Sequence, residues 1–211
     1  MPVRTEQELT DYLNRDLSWR KRELTTIYLQ VQNARDHIRM IMIRSGVCLL
    51  YAHWEGFIRG GARGYLEFVA RRRLRFQELR SNFLVAGLYE EIRNLVRRPS
   101  VELSLQLIDA VLDDGRRFTS FHEDTTSARS NLGSQMLREL LSVVGVDSKE
   151  YLSKNVMIDR RLVQNRNMVA HGEQFQMTPE DYLELHGAII EMMNRFRNDL
   201  ENAAAANAYR S

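Results

Sequence analysis

A chain of 211 residues has room for one well-filled core and little more, so a single domain over 1–211 is the expectation. Its 44% hydrophobic and 27% charged residues exclude a disordered or low-complexity chain. The net charge is only +2, but lysine occurs just at 21, 149 and 154, so nearly all positive charge is arginine. Guanidinium forks suit phosphate and carboxylate, although genomic base composition favours arginine just as well. Cys48 is alone in an apolar run, which excludes a disulfide framework and a cysteine-based metal site. The N-terminus lacks an apolar signal segment and no run approaches 18 apolar residues, so the reading is cytoplasmic with no membrane.

Prolines only at 2, 99 and 179 leave long uninterrupted stretches that favour helices. Within an N-terminal helical segment (1–36), Leu9, Tyr12, Leu13, Trp19, Leu24, Ile27, Tyr28 and Val31 mark one amphipathic helix, or two with a break near Asn14. A second helix starts near Ile38 and runs through Arg73, and Gly60-Gly61 is the place where it could kink. Leu79, Phe83, Leu88, Ile92 and Leu95 mark a further helical stretch stopped by Pro99. "VELSLQL" (101–107) alternates like a strand, but it has no partner and "LIDAVL" follows at helical spacing, so it is read as helix.

Residues 113–129 have turn composition and form the main loop. Ser130-Asn131 predicts an N-cap, with Leu132, Met136, Leu137, Leu140 and Val144 inward and Gly145 as the stop. Asp147 to Glu150 has capping-box spacing and leads towards a helix over 157–171. The last helix opens at Thr178-Pro179 and fades into a tail at 203–211. The sum is an all-α helical bundle.

"LVQNRNMVAHGE" (162–173) sets an arginine, an amide and an imidazole among apolar helix positions. Asn167 and His171, four apart, point the same way, and Arg166 can curl towards the same edge. Gly172 closes the helix, so His171 sits in its last turn, where the helix dipole favours a protonated ring. Arg166 could then hold a phosphate while His171 moves a proton. RNA brings its own nucleophile, the 2′-OH, and needs no metal for such cleavage. Taken alone, Arg-x4-His on a helix arises often by chance.

"RNMVAHGE" resembles the Arg-x4–6-His signature of the HEPN superfamily, in the form with a polar residue after the arginine. "LLYAHWEGFIRG" (49–60) and "SNLGSQMLRELLSVVGVD" (130–147) are similar to one prokaryotic branch, the RiboL-PSP-like HEPN nucleases. With the last helix, the likeness spans most of residues 40–200. It implies a HEPN-type helical bundle, metal-independent endoribonuclease activity without a cofactor, and an RNA substrate. It further implies a homodimer in which two motifs meet at one cleft, and a toxin–antitoxin or antiviral defence setting with an antitoxin or defence-system partner protein. Some HEPN proteins are non-catalytic modules. Several HEPN toxins carry Tyr two residues after the His, where this chain has Glu173.

Arg166, Asn167 and His171 are therefore the catalytic candidates. Glu55 joins them, because a carboxylate inside an apolar helix needs a partner and Arg166 or His171 would serve. Trp54 reads as packing, and His53 as a core hydrogen bond. Arg71, Arg72, Arg73 and Arg75 are either a solvated helix end or a track for RNA backbone. No histidine spacing suggests a metal site. Met192, Met193 and Phe196 crowd the last helix more than one buried stripe needs, which offers surface for a second copy.

Overall fold

The computed structural model describes residues 3–126, 131–174 and 176–211. Three long helices build the core: α1 (Glu6–Asn33), α2 (Asp36–Arg71) and α9 (Pro179–Ala205) pack against one another. Between α2 and α9 lie α3 (Ser81–Gly87), α4 (Tyr89–Arg97), α5 (Val101–Leu112), α6 (Ser134–Val144), α7 (Lys149–Leu152) and α8 (Asn165–Ala170). Among the described residues there is no strand, and two isolated β-bridges join Arg75 to Arg117 and Leu79 to Arg210. The all-α reading holds, and the "VELSLQL" stretch is helix, capped where the Ser100 hydroxyl accepts the Leu103 amide.

α2 is the central element. Val47, Leu50, Trp54, Phe57, Ile58, Leu66, Phe68 and Val69 are all fully buried, and only a narrow stripe that includes Ala52 and Arg63 is left to solvent. It runs as one continuous helix through Gly60-Gly61. Its glycines serve close packing: a Cβ on Gly61 would lie 2.9 Å from the Phe196 ring, and one on Gly64 would lie 2.7 Å from Tyr12. α1 contributes the stripe Leu9, Leu13, Leu17, Leu24 and Val31 as one unbroken helix. Met192, Met193 and Phe196 of α9 are buried in this core, so they do not supply the surface for a second copy that their crowding suggested.

Local signals explain most helix ends. Thr5 with Glu8, and Thr178 with Asp181, form reciprocal capping boxes, and Pro179 occupies the first turn. The hydrogen bonds from Thr178 hold the Asp181 carboxyl below the usual carboxylate range. Gly145 ends α6 in the left-handed conformation, as expected.

Four expectations fail at the ends of elements. The stretch from Leu79 splits at Leu88, whose backbone leaves the helical region between α3 and α4. Ser130 lies outside the described residues, and α6 opens at Ser134 rather than after Asn131. Its cap comes from elsewhere in the chain: Asp159 accepts the Ser134 amide at 2.7 Å and hydroxyl at 2.5 Å. Asp147 accepts the Lys149 amide in a tight turn, with no capping box to Glu150. The tail does not fade: Tyr209 is buried, stacks edge-on against Phe68, and its carbonyl accepts the Arg80 amide. The loop from 113 is irregular as read, with a short turn of 3₁₀ helix at Glu123–Thr125; its residues 127–129 lie outside the described ones.

Candidate functional site

The segment leading into the motif is not an ordinary helix. Met157–Gln164 winds as a π-helix, and only from Asn165 does α8 take the tighter α form. Such turns are rare and recur at functional sites. Buried Ile158 and Leu162 anchor the segment inward. Its polar positions tie it to both neighbours: Asp159 caps α6, and Arg161 pairs with Glu184 at 2.8 Å and Asp181 at 3.4 Å on α9. α8 is thus presented on a base held from two sides.

α8 ends where the sequence says it should. The Gly172 amide donates to the Val169 carbonyl and the Glu173 amide to that of Met168, with Gly172 at φ +73°. This pair of bonds closes the helix and needs a residue tolerant of positive φ. A Cβ at Gly172 would meet nothing within 4 Å, so backbone conformation alone demands glycine here. Arg44 of α2 donates to the Glu173 carbonyl at 2.8 Å and fixes the chain just past the motif.

Arg166 is half-buried, its guanidinium carbon 4.1 Å from the centroid of the Tyr51 ring. It also donates to Asn167 Oδ1 at 2.8 Å, and Asn131 Nδ2 donates to the same oxygen at 3.2 Å. A guanidinium cannot accept, so the Asn167 amide is oriented with its oxygen inward. Among the described residues nothing accepts from its Nδ2. Asn167 and His171, with Asp159, Val163, Gln164, Met168 and Glu173, line one open depression. His171 is exposed there at the C-terminus of α8. Through Asp159 the depression adjoins a second one at the start of α6, lined by Asn131, Gly133 and Ser134.

Arg166 and Asn167 lie on α8 and His171 caps it; of the three, Asn167 and His171 line the depression while Arg166 lies over Tyr51, and the other candidates lie elsewhere. Glu55 does not pair with Arg166 or His171; its carboxylate takes two bonds from Arg59, at 3.0 and 3.2 Å, one turn along α2. Its link to the motif is indirect, through the effect of its charge on the Tyr51 phenol. Burial first, and the Glu55 charge further, raise the pKa of Tyr51 against the lowering by the Leu132 amide and Arg166, so the phenol stays protonated. Its oxygen also accepts the Leu132 amide at 2.9 Å. Tyr51 thereby carries the Arg166 guanidinium on its face and holds the segment before α6 by its hydroxyl. Tyr51 carries no site signal in the sequence beyond its place one turn before Glu55, and Asn131 reads there as a helix cap.

Arg71, Arg72, Arg73 and Arg75 sit at the far end of α2, about 30 Å along its axis from Tyr51. Arg71, Arg73 and Arg75 are exposed, while Arg72 lies over the Phe68 ring at 4.3 Å. His53 is buried and bonded to Glu23 at 2.9 Å, with burial lowering its pKa, and Trp54 is fully enclosed. Burial raises the Cys48 pKa despite the nearby Arg166 and Arg44, so no thiolate is offered at the motif. Among the described residues no cluster of three His, Cys, Asp or Glu could hold a metal ion, and no helix is long and apolar enough to cross a membrane.

These features define a class: an all-α bundle that displays an Arg-x4-His motif at the end of a helix beside an open groove. The family model described as HEPN_MAE_28990-like HEPN matches residues 9–209. The chain belongs to the HEPN family, and the match takes in α1, beyond the stretch that carried the sequence resemblance. Membership points to nuclease-type, RNA-related chemistry. No curated protein and no solved structure matches the chain.

Proposed function

We propose that this protein is a metal-independent endoribonuclease that cleaves RNA by attack of the 2′-OH on the adjacent phosphate. The observation that carries the reading is the state of Asn167. With its oxygen occupied by Arg166 and Asn131, it turns its amide hydrogens outward in the depression that His171 also lines. A scissile phosphate bound there would accept from Asn167 and meet the Arg166 guanidinium at its edge. His171 would take the proton from the 2′-OH or give one to the leaving 5′-oxygen. Tyr51 and, behind it, Glu55 would hold Arg166 in place rather than touch RNA.

Arg71, Arg73 and Arg75 would act on distant parts of a longer RNA, through phosphate contacts that carry no sequence information. The working unit is a homodimer in the cytoplasm, in a toxin–antitoxin or antiviral setting where an antitoxin or defence-system partner restrains it. The rival reading is a non-catalytic module that binds RNA, a nucleotide or a protein. The exposure of His171, with no described residue hydrogen-bonded to its ring, favours that rival, because a catalytic base is commonly oriented by a further group.

Incubation of mixed RNA with wild type and His171→Ala, in excess EDTA, separates the two. Cleavage by wild type alone, leaving 2′,3′-cyclic or 3′-phosphate ends, supports the enzyme. Intact RNA, with binding preserved in both proteins, supports the module.

A further inference from the structure

The proposed chemistry occupies only one end of a longer groove. The other end, the depression at the start of α6, encloses about 500 Å³, within the roughly 300–1,000 Å³ typical of ligand pockets. The two ends share Asp159 as a wall, and the hydrogen bond from Asn131 to Asn167 joins one lining to the other. Gly133 permits this layout, since a Cβ there would lie 3.0 Å from Asp159 Oδ1.

The two carboxylates lining this depression are in different states. Asp159 spends both oxygens on the Ser134 amide and hydroxyl. Glu139 is exposed, and among the described residues its carboxylate has no hydrogen bond or ion pair. Gln135 lies one turn before Glu139 on the same face of α6, exposed and lining the same depression. Half-buried Met136 adds an apolar surface beside them.

We propose that this depression takes a guanine base adjoining the scissile phosphate, and that Glu139 selects it. The inference rests on the ribonuclease reading and adds a base preference to it. Proteins read single-stranded RNA on the Watson–Crick edges of unstacked bases. Guanine alone presents two neighbouring donors there, N1–H and the N2 amino group, which one ionised carboxylate accepts together. Beside them O6 accepts, and the Gln135 amide can donate to it. Adenine and cytosine turn a ring-nitrogen lone pair towards the carboxylate, and uracil turns two carbonyls. The Met136 thioether is a polarizable support for the base. Charge sorts the rest of the nucleotide: Glu139 and Asp159 repel a phosphate from this end and leave it to Arg166 and Asn167.

The test has a binding arm and a cleavage arm. Four UpNpU trinucleotides with 2′-fluoro ribose, which lack the attacking hydroxyl, are titrated by calorimetry against wild type and Glu139→Gln. Wild type should bind the guanine form about tenfold more tightly than the other three, and Glu139→Gln should lose that preference. In parallel, both proteins are incubated with a mixed-sequence RNA and the new ends are sequenced. Cuts should lie beside guanine in wild type and scatter in Glu139→Gln. A guanine preference in binding, lost in the variant, with no RNA cut by wild type, would keep the pocket and sink the ribonuclease reading. Wild-type binding that is absent or blind to the central base overturns the proposal, as do cuts blind to guanine. So does a guanine preference that Glu139→Gln retains.

Discussion

Arginines gather in two regions along α2, and they are held in opposite ways. Along its first half, Arg166 rests on the Tyr51 ring and bonds to Asn167, while Arg44 grips the Glu173 carbonyl. At its end, Arg71, Arg73 and Arg75 stand in solvent. The first arrangement fixes the direction of a guanidinium, as recognition of a single phosphate requires; the second supplies charge without direction. A run of arginines is therefore a weaker sign of a site than one arginine whose geometry is specified by its neighbours.

The largest expected effect separates the two regions by rate. In the proposed enzyme, His171→Ala should slow RNA cleavage by roughly 10²- to 10⁴-fold while leaving the thermal midpoint unchanged, because its exposed ring fills no core. Arg71→Ala/Arg73→Ala/Arg75→Ala should keep the maximal rate and instead weaken binding, with a shallower dependence on salt. A triple variant as inactive as His171→Ala at saturating RNA would erase the distinction.

Core and site also separate by stability. Phe57→Ala, in the fully buried middle of α2, should cost about 3–5 kcal/mol in denaturant unfolding. Half-buried Met168→Ala should cost only about 1 kcal/mol. Comparable losses at the two positions would mean that α8 is core rather than a displayed helix.

Tyr51 sharpens the comparison, since its ring and its hydroxyl serve different ends. Tyr51→Phe keeps the face beneath Arg166 but strands the buried Leu132 amide, so it should lower stability by roughly 1–3 kcal/mol with cleavage largely retained. Tyr51→Leu removes the face as well and should reduce the rate further, by about tenfold. Equal rates for the two variants would show that the ring does not position Arg166.

The smallest effect is on pH dependence. His186 is buried against α1 and bonded to the Leu24 carbonyl, and burial lowers its pKa below the ordinary value near 6.5. The unfolded chain therefore binds the extra proton first as pH falls. The stability this neutral ring contributes is complete above about pH 6.5 and is lost as pH drops through the folded-state pKa. Denaturant midpoints between pH 7 and 5 should fall in wild type and fall less steeply in His186→Gln, where buried His53 still contributes with the same sign.

The bundle was legible in the sequence because its signals are local: the stripe of α1, the Thr178-Pro179 start, and the glycines at 145 and 172. The local placement of Arg166 and Asn167 on one short helix, with His171 at its cap before Gly172, was legible for the same reason. What escaped were contacts between distant segments. Asp159 caps α6 from 25 residues away, and Asn131 meets Asn167 across 36. Neither pairing leaves a periodic trace. The π-helix of Met157–Gln164 also escaped, because eight residues are too few to tell a widened turn from an ordinary one by spacing. The partner expected for Glu55 was the avoidable error: Arg59 stood one turn away, and a local partner took precedence over the distant motif.

The most direct test of the central claim is the chemistry of the cut end. Wild-type protein, His171→Ala and Arg166→Ala are each incubated with a defined RNA and its DNA counterpart in excess EDTA, and the termini are read by mass spectrometry. The account predicts 2′,3′-cyclic phosphate or 3′-phosphate ends on RNA from wild type alone, with DNA intact. Cleavage that requires Mg²⁺, leaves 3′-hydroxyl ends, or persists at full rate without His171 would contradict it.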